Sequence, residues 1–330
     1  MRWMLKPAVV AVLLMGAAAC SSKNDDGGSD NPNQPSGGGS NTVYYSAISA
    51  SDGTGFGSSS VCLPFTDCPN GTGWVQRVVR EMRDSGKTVT VLNLAIPGSV
   101  VGPEIESLAR QLGQGTIGNY VERQLPFVSR SSTLVTVFGG ANDVNVVGSA
   151  IEQGLGGGNP VGWGTAFATG FGRDLGTIVD GVRAKAPSAK IILLNPPNGA
   201  GMPYVADRPR DQLRILQAIS VAFSAQANAQ ASRGVLVVDL MCDPRSYMPS
   251  NYSSDGFHPN DAKCGRLTRT RCMSAAFTGG KCGETMRTRF TASPPPGGAG
   301  HPRDRDGSGL PVRRAQCGRR RGIPDARPPS

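Results

Sequence analysis

Histidine is almost absent from this sequence: there are two in 330 residues, His258 and His301. His301 lies in a Pro-, Gly- and Arg-rich stretch that shows no pattern of a folded element. Histidine chemistry here therefore rests on His258 and on the partners the rest of the chain supplies. Metal-binding spacing is also missing. Cys264, Cys272, Cys282 and Cys317 are separated by 7, 9 and 34 residues, with no histidine among them at ligand distance, which excludes a zinc pattern. Net charge is missing from most of the chain. Residues 1–263 hold 20 Lys/Arg against 20 Asp/Glu, whereas residues 264–330 hold 14 against 4. The balance of +10 thus belongs to the C-terminal stretch and gives no reason to expect nucleic-acid binding by the rest. That stretch also has little aromatic content for stacking on bases. No internal repeat is visible.

The longest apolar run, "AVVAVLLMGAAAC", follows Arg2 and Lys6 and is too short to span a bilayer comfortably. A basic start, a short apolar core and small residues before a cleavage point make an export signal over residues 1–20. Its end at Cys20 resembles the lipobox of bacterial lipoproteins, which implies lipidation of Cys20. The plainer alternative is a cleaved signal with a chance cysteine. Residues 21–42 contain no apolar side chain able to form a core and are expected to be a flexible tether about 25 Å in root-mean-square span. The expectation is a membrane-anchored, exported protein on a periplasmic or cell-surface face.

From about residue 43 to 263, short apolar runs alternate with helical patterns. Strands are predicted at 43–50, 88–95, 132–140, 190–195 and 235–240, and helices at 73–86, 103–113, 165–186 and 211–232. The second segment shows the logic: Val75, Val78, Val79 and Met82 recur at helical spacing, and Gly86 ends the run. Five strands with helical crossovers predict a three-layer α/β/α domain around a parallel sheet. In such sheets, functional groups gather beyond the carboxyl ends of the strands.

Those ends carry a consistent set. After the first strand comes "SASDGTGFG", with Ser51 at the turn. After the second comes "NLAIPGS", with Gly98. After the third comes "GGAND", with Asn142. After the fifth and a loop comes "SSDGFHPND", with Asp255 three residues before His258. A hydroxyl, a glycine N–H, a carboxamide and an Asp/His pair are the parts of an acyl-transfer site. Each alone has a blander reading as a turn, a cap or a solvated loop residue. The set together, each member at a strand end, points to chemistry.

These four segments resemble the sequence blocks of the SGNH hydrolases, the GDSL-type lipases and esterases, over about residues 43–263. "GGAND" and "DGFHPND" match closely. The first block departs, reading Ser49-Ala50-Ser51 where the family has Gly-Asp-Ser. The resemblance implies a flavodoxin-like five-stranded fold that uses no metal or organic cofactor. It implies Ser51 as nucleophile, with Ser49 a poorer candidate, His258 as base and Asp255 as its orienting partner. Ser51, Gly98 and Asn142 would form the oxyanion hole. It implies a small-molecule or lipid ester as substrate. A carbohydrate O-deacetylase on the same machinery is the alternative, and a catalytically decayed surface-binding lipoprotein is a third reading. Asp143 is expected to bond loop backbone, and Asp52 has no assigned role. Cys62 and Cys68 are expected to form a disulfide, as an exported chain permits, and Cys242 has no obvious partner. The segments 146–164 and 196–210 are expected to wall or cover the site, with Phe56, Trp163, Met202 and Tyr204 as apolar contacts. Residues 264–330 lack an apolar stripe fit to close the domain. They read either as a disordered basic tail or as the product of a shifted reading frame.

Overall fold

The computed structural model describes residues 41–115 and 118–268. Cys20, the export signal, nearly all of the tether and most of the basic tail lie outside the described residues. Five strands, β1 (Thr42–Ile48), β2 (Thr88–Asn93), β3 (Leu134–Phe138), β4 (Lys190–Leu194) and β5 (Leu236–Val238), form one sheet. Their order is β2-β1-β3-β4-β5, and every pairing is parallel. Eight α-helices accompany them among the described residues: α1 (Ser51–Thr54), α2 (Trp74–Asp84), α3 (Pro103–Gln111), α4 (Tyr120–Arg123), α5 (Ala141–Glu152), α6 (Pro160–Lys185), α7 (Arg210–Ala229) and α8 (Asp261–Thr268).

Strand alternation divides the core into two layers. In β4, Ile191 and Leu193 face one apolar cluster while Ile192 and Leu194 face the other. Val135 and Val137 against Leu134 and Phe138 repeat the pattern in β3. The first cluster is closed by α3, α5, α6 and α7, and the second by α2 and Cys264 of α8. Burial on both faces explains why the strands read as unbroken apolar runs. Helix α6 forms despite its glycines because they serve packing. A Cβ at Gly164 would stand 2.8 Å from Ile219 Cδ1, so its absence lets α7 approach.

Three expectations need correction. Thr42 pairs with Thr88 in the sheet, so the tether stops short of residue 42. The segment 146–164 is largely helical: Val144, Val147 and Ala150 of α5 are buried on its inner face, and Asn159 caps α6 by accepting from the Gly162 N–H. The glycine-rich stretch between the two helices hid that spacing. The segment 196–210, by contrast, walls the site as expected, with Pro197 and Met202 lining the pocket and Met202 and Val205 buried. Finally, the domain boundary expected at Lys263 falls inside α8, where Cys264 is buried against the sheet beside α2. Cys242, which had no obvious partner by sequence, is disulfide-bonded.

Candidate active site

The strand order reverses at β1. The chain leaves β1 for β2 on one side and returns through β3 on the other, which opens a crevice at the carboxyl ends of β1 and β3. Ser51 opens α1 directly beyond β1, and Asn142 stands in the first turn of α5 beyond β3. Both line one pocket with His258. The loop carrying His258 follows β5 and two short 3-10 turns, and an antiparallel bridge between Tyr252 and Pro259 ties it back on itself.

Within this pocket Ser51 Oγ lies 2.9 Å from His258 Nε2. His258 Nδ1 lies 2.6 Å from Asp255 Oδ2. The other Asp255 oxygen accepts from the N–H groups of Phe257 (2.8 Å) and His258 (2.9 Å) and from Ser253 Oγ (2.6 Å). Burial pushes the Asp255 carboxyl up, but these hydrogen bonds and the one to His258 outweigh it and hold the group well below the usual carboxylate range. Asp255 is therefore an anion that fixes both the imidazole orientation and the Nδ1–H tautomer. Nε2 is left as the acceptor facing Ser51.

The loop approaches closely because residue 57 has no side chain. Gly57 has φ +87°, and a Cβ there would lie 2.5 Å from the Cβ of His258. Phe56 then sets its ring edge against the imidazole, with centroids 4.6 Å apart. Ser49 is fully buried, its Oγ aimed at Gly53 and without a hydrogen-bond partner among the described residues. It cannot reach the pocket.

The third strand end is fastened to the second. Asn142 Nδ2 donates to the Ser99 carbonyl at 2.8 Å, which leaves its second amide hydrogen for the pocket it lines. Asp143 accepts from the Val101 N–H at 2.9 Å, the backbone role expected for it. Burial raises its carboxyl to about 7. Gly98 sits in the turn after β2 with φ +77° and belongs to the same corner, one residue before Ser99. Of the proposed apolar contacts, Met202 lines the pocket, Phe56 touches His258 and Tyr204 packs on Phe257. Trp163 instead packs on Phe167 within α6 and takes no part.

Several residues of the site escaped the sequence reading. Gln124 holds the end of β1 by accepting from the Ser49 N–H (3.0 Å) and donating to its carbonyl (2.9 Å), and it also reaches Ser99 Oγ (3.1 Å). Trp74 Nε1 donates to Asp52 at 2.8 Å, and burial lifts that carboxyl to about 6. Tyr120, Phe138, Phe257 and Lys263 complete the pocket wall. Gln124, Trp74 and Tyr120 lie far along the chain from the groups they support or adjoin, so no local pattern marks them. Cys62 and Cys68 are joined by a disulfide with 6.0 Å between Cα atoms, closing the loop that follows α1.

A serine, a histidine and an aspartate thus form one hydrogen-bonded line at the switch point of a parallel sheet. The sequence matches the model of the GDSL-like lipase/acylhydrolase family over residues 49–262, and the chain belongs to that family. At the level of the family it is an ester-cleaving hydrolase. Among curated proteins none matches the sequence. Similar solved structures include a lipase from a goat rumen metagenome, at 15% identity over 72% of this chain and 99% of that one, with a TM-score of 0.49. An acetyl xylan esterase from Geobacillus stearothermophilus is 15% identical over 72% and 94%, with a TM-score of 0.46. Phospholipase A1 from Streptomyces albidoflavus is 18% identical over 68% and 96%, with a TM-score of 0.46.

Proposed function

We propose that the protein is a serine esterase acting through Ser51, His258 and Asp255. Ser51 Oγ attacks the ester carbonyl while His258 Nε2 takes its proton. Asp255 stabilises the imidazolium through Nδ1. The N–H groups of Ser51 and Gly98 and the Asn142 amide bind the developing oxyanion. Ser51 stands at the first helical position of α1, where its N–H has no partner within the helix. Collapse expels the alcohol, which takes the proton from His258, and water then releases the acid by the same route in reverse.

The observation that carries this reading is the unbroken hydrogen-bonded line from Ser51 through His258 to Asp255, with Ser51 and His258 on the wall of one pocket. Kinetics on p-nitrophenyl esters of rising acyl length test it. Ser51→Ala and His258→Ala should each lower kcat by about a thousandfold or more, and the double variant should be no worse than either single one, because the two groups act as a unit. Near-normal turnover by Ser51→Ala would defeat the assignment. We also propose that the mature protein is exported and anchored by lipid on Cys20, on the strength of the N-terminal sequence alone. An acylated N-terminal cysteine in the mass spectrum of the membrane fraction is the expected result.

A further inference from the structure

The mechanism leaves one buried lysine on the pocket lining unused. Lys263 stands in the first turn of α8, five residues after His258, and is 6% exposed. It lines the same pocket as Ser51, Asn142 and His258. Its Nζ lies 3.7 Å from the centre of the Tyr252 ring. Among the described residues Nζ makes no hydrogen bond or ion pair, the only hydrogen bond of Lys263 outside the helix pattern being its backbone N–H to Asn260. An ammonium has three donors to satisfy, and none of them meets a hydrogen-bond acceptor among the described residues, although Asp243 and Asp52 nearby favour its charge. A methionine or leucine would cover Tyr252 equally well without that cost. The lysine is therefore a feature the packing does not require.

We propose that Lys263 is a specificity residue that holds an anionic group, a carboxylate or a phosphate, on the ester bound at Ser51. This inference rests on the hydrolase reading above. The pocket offers such a group little competition. Tyr120, Phe138, Met202 and Phe257 make its walls largely apolar, and charge-assisted hydrogen bonds strengthen where water is excluded. Burial has pushed the Lys263 ammonium down to about 7, so near neutrality the site is poised, and an arriving anion draws it back to the charged form. The charged groups around it are few. Asp243 is largely engaged by Arg245, and burial has raised the Cys264 thiol to about 12, so it is neutral. Asp52 lines the same pocket and would repel an anion when ionised. Its carboxyl, however, is tied to Trp74 and already raised to about 6, and a second negative charge nearby favours its neutral form further.

Two matched pairs of esters test this and separate the two places an anion can sit. p-Nitrophenyl hexanoate against mono-p-nitrophenyl adipate puts the charge on the acyl half. A monoacylglycerol against the acylglycerol phosphate of the same chain puts it on the alcohol half. The readout is the ratio of kcat/KM for the charged ester to that for the neutral one, which is internal to each variant and unaffected by loss of folded protein. In Lys263→Met that ratio should fall about tenfold or more for one of the pairs, as loss of a hydrogen bond to a charged group demands, and Lys263→Arg should restore it. Ratios in Lys263→Met equal to wild type for both pairs would overturn the inference while leaving the hydrolase reading intact. If the wild-type protein cleaves none of the four esters and its Ser51 fails to react with a fluorophosphonate, the hydrolase reading fails and takes this inference with it.

Discussion

Asp143 is an acid that the fold holds away from water. One of its oxygens accepts from Val101 and the other is buried with no partner among the described residues. Its carboxyl titrates near 7 in the folded protein, against about 4 when unfolded. Folding therefore favours the protonated form. The stability this group contributes is complete below about pH 4 and is lost as the pH rises through 7. Asp143→Asn removes that dependence. The melting temperature of the variant relative to wild type should move in the variant's favour between pH 4 and pH 8. A difference that does not change with pH would contradict the burial account. At this scale the sequence was most informative where function is local. Asp255 and His258 sit within four residues and declare each other, and Ser51 follows a strand in a glycine-rich turn. Gln124 and Trp74 were illegible because each acts across the fold. Gln124 is 75 residues from the strand end it clamps, and nothing in the neighbourhood of an isolated amide announces such a contact.

The strands and the long helices were legible for a simple reason: a two-sided sheet demands unbroken apolar runs, and a helix covering it demands a 3.6-residue stripe. The misread elements lack those signals. Helix α5 begins inside the "GGAND" segment and ends at a glycine-rich turn, so loop chemistry masks its buried valines. Among the described side chains of helix α8, Cys264 is the one in the apolar core, and it is small. The loop after α1 shows what a staple supplies where packing is thin. Val61, Leu63 and Phe65 are largely exposed, and Phe65 alone among described non-glycine residues has positive φ, at 63°. Its N–H donates to the Asn93 carbonyl at 2.7 Å, and the Cys62–Cys68 bridge limits the alternatives open to the unfolded chain. Replacing both cysteines by alanine should cost about 2 kcal/mol in urea unfolding, the amount expected for so short a loop. An unchanged unfolding midpoint would mean that the loop is fixed by its other contacts.

At the scale of the whole molecule, the topology assembles the site. The β2-β1-β3 arrangement sets two strand ends side by side and fastens them through Asn142, Asp143 and Gln124. The loop after β5 then delivers His258 from the far edge of the sheet. Ser51 and His258, 207 residues apart in the chain, meet at 2.9 Å because the sheet order brings their segments to one crevice. Covalent capture tests this central claim most directly. A fluorophosphonate probe followed by peptide mapping should place a single adduct on Ser51, and His258→Ala should greatly slow its formation, because the serine loses the base that activates it. An adduct on Ser49, or no adduct on a folded protein, would contradict the account.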